Sequence, residues 1–196
     1  MRVGERDDDR YDRMRRIDWL DMDAIHNARC LVVGAGALGN EVVKDMVLAG
    51  FRRIDLVDMD GIVTSNLSRC LFFADSDVGV NSKVEAVASK ASRLAPDVVI
   101  RPMAMDVRNL EDWDYDIVLG CLDNISARLH VNAHCVLHGV PYVDGATDGF
   151  RGKCQVVLPG GPCLECAMNR THAAVVDVRF SCTEEAHRYV PHLAAA

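Results

Sequence analysis

The sequence predicts an α/β fold, with a doubly wound, mainly parallel sheet and helices on both faces. Short apolar runs typical of buried strands alternate with helical patterns along the chain. A glycine-rich turn joins the first of these strands to the first long helix. Polar motifs follow at the ends of the strands, which is where sheets of this class bind their ligands.

Residues 1–28 are densely charged but carry apolar residues at helical spacing, which predicts an arm that docks through one helical face. These residues are Tyr11, Met14, Ile17 and Leu20. The predicted first strand is Arg29–Val33. The predicted first long helix is Ala37–Ala49, and Gly50 after it is a favourable C-cap.

The middle of the chain continues the alternation. Residues 54–57 form the predicted second strand, and residues 59–77 form an irregular polar loop of a length typical of functional loops. Residues 82–94 have helical periodicity and stop before Pro96. The remaining predicted elements are strands at 98–100 and 117–120, a helix at 126–137 and a strand around Tyr142 and Val143.

Composition excludes several classes of protein. With 49% hydrophobic and 26% charged residues the chain is typical of a soluble globular protein, and its apolar runs are shorter than the ~18 residues that span a bilayer. No signal-peptide pattern is present, so we expect a cytoplasmic protein without a membrane partner. The net charge of -7 disfavours nucleic acid as a partner, because nonspecific binding to phosphates requires an excess of Lys and Arg.

The eight cysteines do not indicate a disulfide framework, because they are scattered through apolar runs of a chain without a secretion signal. We expect most of them to be reduced. Cys30, Cys121 and Cys135 are expected to lie inside strands or helices and to behave as small buried hydrophobes.

A glycine fingerprint follows the first predicted strand. Gly34 permits the tight turn, Gly36 lets the backbone approach a phosphate or ribose, and Gly39 lets helix pack on strand. Asp58 ends the second strand, where a carboxylate accepts hydrogen bonds from ribose hydroxyls. This Rossmann-like pattern fits NAD and ATP equally well.

The loop after Asp58 favours ATP. It contains Asp60, Ser65, Asn66 and Arg69, and Lys83 follows it at the start of a helix. A dehydrogenase has no triphosphate to hold and does not need these groups beside the ribose.

Together with Cys121-Leu122-Asp123-Asn124, these motifs make the chain resemble the adenylating domain of ubiquitin-activating enzymes and of the bacterial sulfur-carrier adenylyltransferases of molybdopterin and thiamine synthesis, the ThiF–MoeB–HesA superfamily. The resemblance runs from about Arg10 to Cys182. One position departs from the pattern: Cys70 stands where Gln is common.

The resemblance implies a role for each motif. Asp58 would bind ribose, Asn66 and Arg69 with Lys83 would hold phosphates, and Asp123 would position Mg2+. The neighbouring motif residues expected to contact the nucleotide are Asp60, Ser65 and Asn124. Asp123 and Asn124 could instead simply cap the following helix.

The arm contains Arg10-Tyr11-Asp12-Arg13, which resembles the family segment whose last Arg reaches across a dimer interface into the partner's ATP site. That role would fall to Arg13, where a guanidinium stabilises phosphate charge. The resemblance thus implies a homodimer or heterodimer. The alternative is an arm Arg that stays in solvent.

The expected chemistry needs cations rather than a general base. A C-terminal carboxyl has an ordinary pKa of about 3.5, so it is already a nucleophilic anion at neutral pH. The difficulty is repulsion between that anion and the triphosphate, which Arg, Lys and Mg2+ relieve by electrostatics and positioning.

Cys163 and Cys166 have the spacing of half a zinc site, which needs four ligands. In the family the second pair lies further along, so the domain is expected to be C-terminally incomplete. Cys154, His172 or His187 could also complete the site, and a redox dithiol is the alternative.

Cys182 lies where simple ubiquitin-like activating enzymes carry a thioester cysteine. Its thiolate would attack the adenylate and release AMP. In sulfur-carrier relatives the equivalent residue takes part in sulfur transfer or is dispensable.

The sequence therefore predicts an N-terminal arm at 1–28, an ATP-binding adenylation domain at 29–159 and a cysteine-containing loop segment at 160–196. The expected reaction is ATP-dependent activation of a β-grasp protein that ends in Gly-Gly, with a downstream conjugating enzyme as a further partner. The alternatives are a sulfur-carrier adenylyltransferase, an NAD-dependent oxidoreductase and a catalytically silent partner subunit.

Overall fold

A computed structural model describes residues 8–148 and 150–168 of the chain. Six strands form one sheet in the order β3-β2-β1-β4-β5-β6. All neighbouring pairs are parallel except β5 and β6. The strands are β1 (Arg29–Val33), β2 (Arg53–Val57), β3 (Val99–Met103), β4 (Ile117–Gly120), β5 (Tyr142–Asp148) and β6 (Arg151–Val157). The helices are α1 (Asp12–Arg15), α2 (Met22–Asn27), α3 (Ala37–Ala49), α4 (Lys83–Ala91) and α5 (Ile125–His138).

Alternating side chains of the central strands supply two hydrophobic cores, one on each face of the sheet. On one face Val32 and Leu56 pack with Val43 and Val87 of α3 and α4. The opposite core includes Leu31, Val33, Val118, Val131 of α5 and Tyr142. The prediction of a doubly wound, mainly parallel sheet with helices on both faces is confirmed.

The N-terminal segment differs from the predicted helical face. It forms two short helices, α1 and α2, separated by a turn, so the apolar residues do not share one stripe. Tyr11 is buried with its ring 5.1 Å from that of His26, whereas Ile17 is 38% exposed. Asp21 caps α2 by accepting from two backbone N–H groups, which explains why a new helix begins there.

Every helix within the described part of the chain is too short or too polar to cross a membrane.

Candidate nucleotide site

The three central strands end at the same edge of the sheet and are tied together there. The backbone N–H of Gly34, after β1, donates to the carbonyl of Val57 at 2.8 Å. The N–H of Cys121, after β4, donates to the carbonyl of Val33 at 2.7 Å. The predicted motifs that follow these strands therefore lie at one edge of the sheet, at the carboxyl ends of the strands, where α/β sheets form their nucleotide-binding crevice.

At two of the three positions of the glycine turn, the backbone leaves no room for any residue other than glycine. Gly34 has a φ of 99°, and a Cβ there would lie 2.5 Å from the carbonyl oxygen of Cys121. A Cβ on Gly39 would lie 1.9 Å from the carbonyl oxygen of Gly34. At Gly36 a Cβ would meet no described atom within 4 Å, so the turn is open at the N-terminus of α3, where N–H groups and the helix dipole favour an anion.

Asp58 joins the glycine turn to the loop after β2. Its Oδ2 accepts from the N–H of Ala35 at 2.7 Å and its Oδ1 accepts from the N–H of Asp60 at 2.8 Å. Burial raises the pKa of Asp58, and the nearby charge of Lys83 opposes this rise. Each carboxylate oxygen keeps a further lone pair, so ribose hydroxyls can still donate to this side chain.

Lys83 is placed at the first position of α4, beside the same loop. Its Nζ lies 2.8 Å from Oδ2 of Asp60, and its backbone N–H donates to the Asp60 carbonyl at 3.1 Å. Ser82 caps the helix by accepting from the N–H of Glu85, whose carboxylate in turn accepts from Ser82. This capping box fixes where the helix begins and therefore where the Lys83 side chain leaves the backbone.

The loop between Asp60 and Lys83 contains a 3-10 turn at Thr64–Ser68. The Asn66 side chain is buried, and its oxygen accepts from the N–H of Val63 at 3.1 Å. Arg69 is exposed, and its guanidinium donates to the carbonyl of Ser65 at 2.6 Å. In this conformation Asn66 stabilises the turn from inside and Arg69 lies on its outer side.

Asp123 and Asn124 follow β4 and precede α5. Asn124 is the N-cap of α5, and its side-chain oxygen accepts from the N–H of Ala127 at 3.3 Å. The helix-cap interpretation therefore applies to Asn124. Asp123 is exposed three residues after the end of β4, and its carboxylate is the kind of hard oxygen ligand that Mg2+ prefers.

Sequence reasoning missed Asn40, which is fully buried under the glycine turn. Its amide nitrogen donates to the carbonyls of Ala35 and Gly36, both at 2.9 Å, and its oxygen accepts from the N–H of Phe72 at 2.9 Å. It thus holds the glycine turn against the polar loop. The available signal was a polar amide one position after the last motif glycine, on the face of α3 that packs on the sheet.

A comparison with known protein families assigns this chain to one of them. Residues 10–195 match the model of the ThiF family. The chain belongs to the ThiF family. SUMO-activating enzyme subunit 2 of Dictyostelium discoideum is 37% identical over 150 residues, which are 74% of this chain and 22% of that protein.

Two further ThiF-family relatives show similar likeness. The NEDD8-activating enzyme E1 catalytic subunit of Arabidopsis thaliana is 37% identical over 159 residues, covering 71% of this chain and 34% of the relative. A ubiquitin-activating enzyme E1-like protein of Saccharomyces cerevisiae is 34% identical over 155 residues, covering 75% and 24%. The chain spans about a fifth to a third of the length of these curated relatives.

Solved structures share the fold of this ThiF-family chain. The crystal structure of E. coli MccB with ATP superposes with a TM-score of 0.75 at 24% identity, covering 91% of this chain and 58% of the MccB chain. MccB with AMPCPP and MccA gives a TM-score of 0.73, also at 24% identity, over 89% and 57% of the two chains.

Beyond the crevice, the Cys163–Cys166 pair is held against α5. The two Sγ atoms lie 3.8 Å apart, and the N–H of Leu164 donates to the buried Asn132 side chain at 3.0 Å. The Asn132 amide, followed by nearby backbone groups, lowers the pKa of Cys163. Two converging thiols fit half of a zinc site. Within residues 8–148 and 150–168, no third metal-ligating side chain joins them.

The cysteines predicted to be inert are packed as expected. Cys30 and Cys135 are fully buried and Cys121 is partly buried. Burial raises the pKa of each thiol to about 12, so each stays protonated and unreactive near neutral pH.

The remaining predicted residues lie in the N-terminal arm or outside the described part of the chain. Arg13 is exposed on α1. Cys182, His172 and His187 lie outside the described residues, so the thioester and alternative ligand roles stay predictions.

Proposed function

We propose that this ThiF-family chain uses Mg-ATP to adenylate the C-terminal glycine of a ubiquitin-like protein. The observation that carries the proposal is the convergence of Asp58, Lys83 and the glycine turn at one edge of the sheet. Arg69 lies in the loop after β2 and Asp123 follows β4, the two strands that flank β1 in the sheet. This set supplies a hydrogen-bond acceptor for ribose, backbone N–H groups for phosphate, and cations beside them.

The reaction that suits these groups is attack by a carboxylate on the α-phosphorus, with pyrophosphate leaving. The attacking anion approaches a triphosphate, so cations lower the barrier more than a general base would. Lys83 already forms an ion pair with the carboxylate of Asp60. A bound phosphate would compete with that carboxylate for the ammonium group, and Arg69 would exchange its contact with the Ser65 carbonyl for a phosphate oxygen.

Magnesium would be held by the exposed carboxylate of Asp123 together with phosphate oxygens and water, because Mg2+ prefers a few hard oxygen ligands and keeps much of its hydration. When bound, it would neutralise negative charge on the phosphates. Asn124 does not fit as a ligand in this conformation, since its side-chain oxygen caps α5.

The relatives support the ubiquitin-like branch over the sulfur-carrier branch, because they are SUMO-activating, NEDD8-activating and ubiquitin-activating E1-like proteins. We therefore propose a β-grasp protein ending in Gly-Gly as substrate, with transfer of the acyl group to Cys182 and then to a conjugating enzyme. We further propose that Cys163 and Cys166 bind zinc. We also propose that the chain forms a homodimer or heterodimer in which Arg13 enters the ATP site of the partner.

ATP–pyrophosphate exchange, measured with candidate β-grasp proteins, tests the first step. Replacing Lys83 with Met or Arg69 with Ala should lower exchange by roughly 100-fold, the loss typical of removing one group that stabilises developing charge. Arg93→Ala is the matched control, because Arg93 is an exposed guanidinium beyond the end of α4 and away from the crevice. Equal activity in all three variants would refute the assignment of the two cations.

The second step, transfer of the acyl group to Cys182, is tested by looking for a covalent adduct between this chain and the β-grasp protein. A thioester adduct is cleaved by added thiol reagents. Exchange with an adduct that disappears in Cys182→Ser supports the ubiquitin-like reaction. Exchange without any adduct supports the sulfur-carrier alternative or a dispensable Cys182. Absence of both signals, with this chain and with a longer one, would favour a silent partner subunit.

A further inference from the structure

A buried ion pair lies beside the crevice, between α5 and β5. Asp144 is fully buried, and Arg128 donates to both of its oxygens, through Nε at 3.0 Å and through a second, shorter contact from Nη2. The hydroxyl of Tyr142 donates to Asp144 Oδ1 at 2.8 Å. Burial, followed by the charge of Asp144, raises the pKa of Tyr142, so its hydroxyl remains a donor.

The surrounding backbone is shaped to admit these three side chains. Asp144 lies opposite Gly120, the last residue of β4. A Cβ on Gly120 would lie 2.3 Å from the Tyr142 hydroxyl oxygen, so the glycine leaves the space that the phenol occupies. The Asp144 end of the pair therefore lies beside the last residue of β4, the strand that leads to Asp123.

Each member of the pair is linked to a different segment of the site, Arg128 through its own backbone and Asp144 through the next residue in the chain. Arg128 lies one helical turn after Asn124, and its N–H donates to the Asn124 carbonyl at 3.0 Å. On the other side, Gly145 follows Asp144 directly, and a Cβ on Gly145 would lie 2.6 Å from Leu38 Cδ2. Leu38 belongs to the first turn of α3, next to the glycine turn.

A contribution to folding stability does not by itself explain why a buried ion pair is present here. Desolvation of two buried charges offsets much of their attraction, and apolar replacements of similar volume are often neutral or stabilising. What a bidentate guanidinium–carboxylate pair does provide is a fixed relative orientation of the two elements that carry it.

We propose that Arg128 and Asp144 are positioning residues that fix the distance between the glycine turn and the Asp123–Asn124 corner. The proposal rests on the adenylation function for its catalytic consequence. Its structural consequence, ordered amides at both ends of the crevice, does not depend on that function.

A second triad of the same chemistry provides a matched control. Arg101 makes a bidentate contact with Asp55, and the Tyr115 hydroxyl donates to Asp55 Oδ2 at 2.8 Å. Asp55 lies opposite Leu31, two residues deeper in the sheet than the strand ends. The control therefore removes a bidentate contact of the same type from a more exposed pair, in which Arg29 also lies 3.7 Å from Asp55, without touching the glycine turn or α5.

The experiment compares Arg128→Lys, Tyr142→Phe and Asp144→Asn with Arg101→Lys, Tyr115→Phe and Asp55→Asn in the full chain. Lysine keeps the charge but cannot form the bidentate contact. Amide hydrogen exchange, urea unfolding, ATP affinity and the kcat of ATP–pyrophosphate exchange are measured for every variant. The Lys and Phe variants keep the test decisive if Asp144→Asn does not fold.

Loss of one hydrogen bond to a charged group should speed amide exchange about tenfold at residues 34–39 and 124–128 in the Arg128 and Tyr142 variants. We expect kcat to fall about tenfold while the KM for ATP changes less than about threefold, because an interaction that orients the transition state affects kcat more than binding. Control variants of equal unfolding free energy should show neither local effect.

The proposal is overturned if amide exchange at those two segments changes only in proportion to global stability, as in the controls. If the unmutated chain lacks ATP–pyrophosphate exchange with every candidate, the proposed function fails. The amide data would still decide the positioning role.

Discussion

Glycines 36 and 39 of the same turn face opposite constraints, although the sequence motif gives them equal weight. At Gly39 an added Cβ would collide with the backbone oxygen of Gly34, which cannot move without breaking the turn. At Gly36 the backbone has a φ of -73°, which other residues adopt readily, and the described atoms leave the space open. The constraint at Gly39 therefore concerns folding, whereas the constraint at Gly36 concerns space for a ligand.

Gly39→Ala should therefore lower the free energy of unfolding by about 3 kcal/mol, at the upper end of the usual cost of overpacking. Gly36→Ala should stay within about 0.5 kcal/mol of the unmutated chain, as surface substitutions do. It should nevertheless weaken ATP binding, since its methyl group enters the space above the N-terminus of α3. Urea unfolding and calorimetric titration with ATP measure the two effects. Equal destabilisation by both substitutions would contradict the distinction.

Buried side chains that support the site without contacting a ligand were the hardest to predict. Asp58 and Lys83 belong to ordered motifs, so their positions in the sequence were enough to select them. Asn40 and Asp144 are buried polar residues inside apolar elements, and only the fold shows which carbonyls and cations they reach. Hydrogen-bond partners 16 or 32 residues away leave no periodic signal in the sequence.

At the level of elements, the cap of α4 controls the position of Lys83. Ser82→Ala removes the acceptor for the N–H of Glu85 and should cost about 1 kcal/mol, the usual effect of losing an N-cap. The fraying first turn should also lower ATP affinity through Lys83. Ser89→Ala is the control, because Ser89 is exposed in the same helix and Ala is the better helix former. A Ser82 variant with unchanged stability would exclude the cap as a determinant.

Helix α5 carries a row of imidazoles at four-residue spacing, packed on Trp113. The rings of His130 and His134 lie 4.5 Å apart, and His134 stacks on Trp113 at 4.5 Å. Burial lowers the pKa of His130 below its ordinary 6.5, and the neighbouring His134 and Arg108 act in the same direction against Asp106. The folded state therefore resists protonation of His130 more than the unfolded chain does.

This shift gives stability a defined pH dependence. The contribution of His130 is complete above the unfolded pKa of about 6.5 and is lost as the pH falls from there through the lower folded value. We expect the urea midpoint to drop as the pH falls below about 6.5, and the fluorescence of buried Trp113 to change with it. Trp19→Phe leaves Trp113 as the reporter. An identical pH slope in His130→Gln would refute the attribution.

How well an element could be predicted depended on its surroundings. The helix Ala37–Ala49 matched residue for residue, because a glycine turn and a C-cap glycine mark its two ends. Strand β6 was missed. It lies at the edge of the sheet with mostly exposed side chains, so neither an apolar run nor a clear alternation marks it. It pairs antiparallel with β5, from which only two residues separate it in the sequence.

For the whole molecule, the central prediction concerns which nucleotide stabilises the fold. A ligand that binds only the folded state adds RT ln(1 + [L]/Kd), or about 2.7 kcal/mol at a concentration one hundred times Kd. For a chain of this size that corresponds to roughly 5 to 10 °C in Tm. We expect ATP with Mg2+ to produce this shift and NAD to produce none, because the loop cations match a triphosphate.

The matched variants locate the source of the shift. Lys83→Met should reduce the stabilisation by ATP, Arg93→Ala should preserve it, and chelation of Mg2+ should diminish it in both the unmutated chain and the control. Differential scanning fluorimetry over a series of ligand concentrations gives the Kd from the same curves. A shift with NAD that equals the shift with ATP would mean that the crevice recognises only the ribose and adenine shared by the two. In that case the groups after β2 would have no phosphate-binding role, and the adenylation chemistry would lose its physical basis.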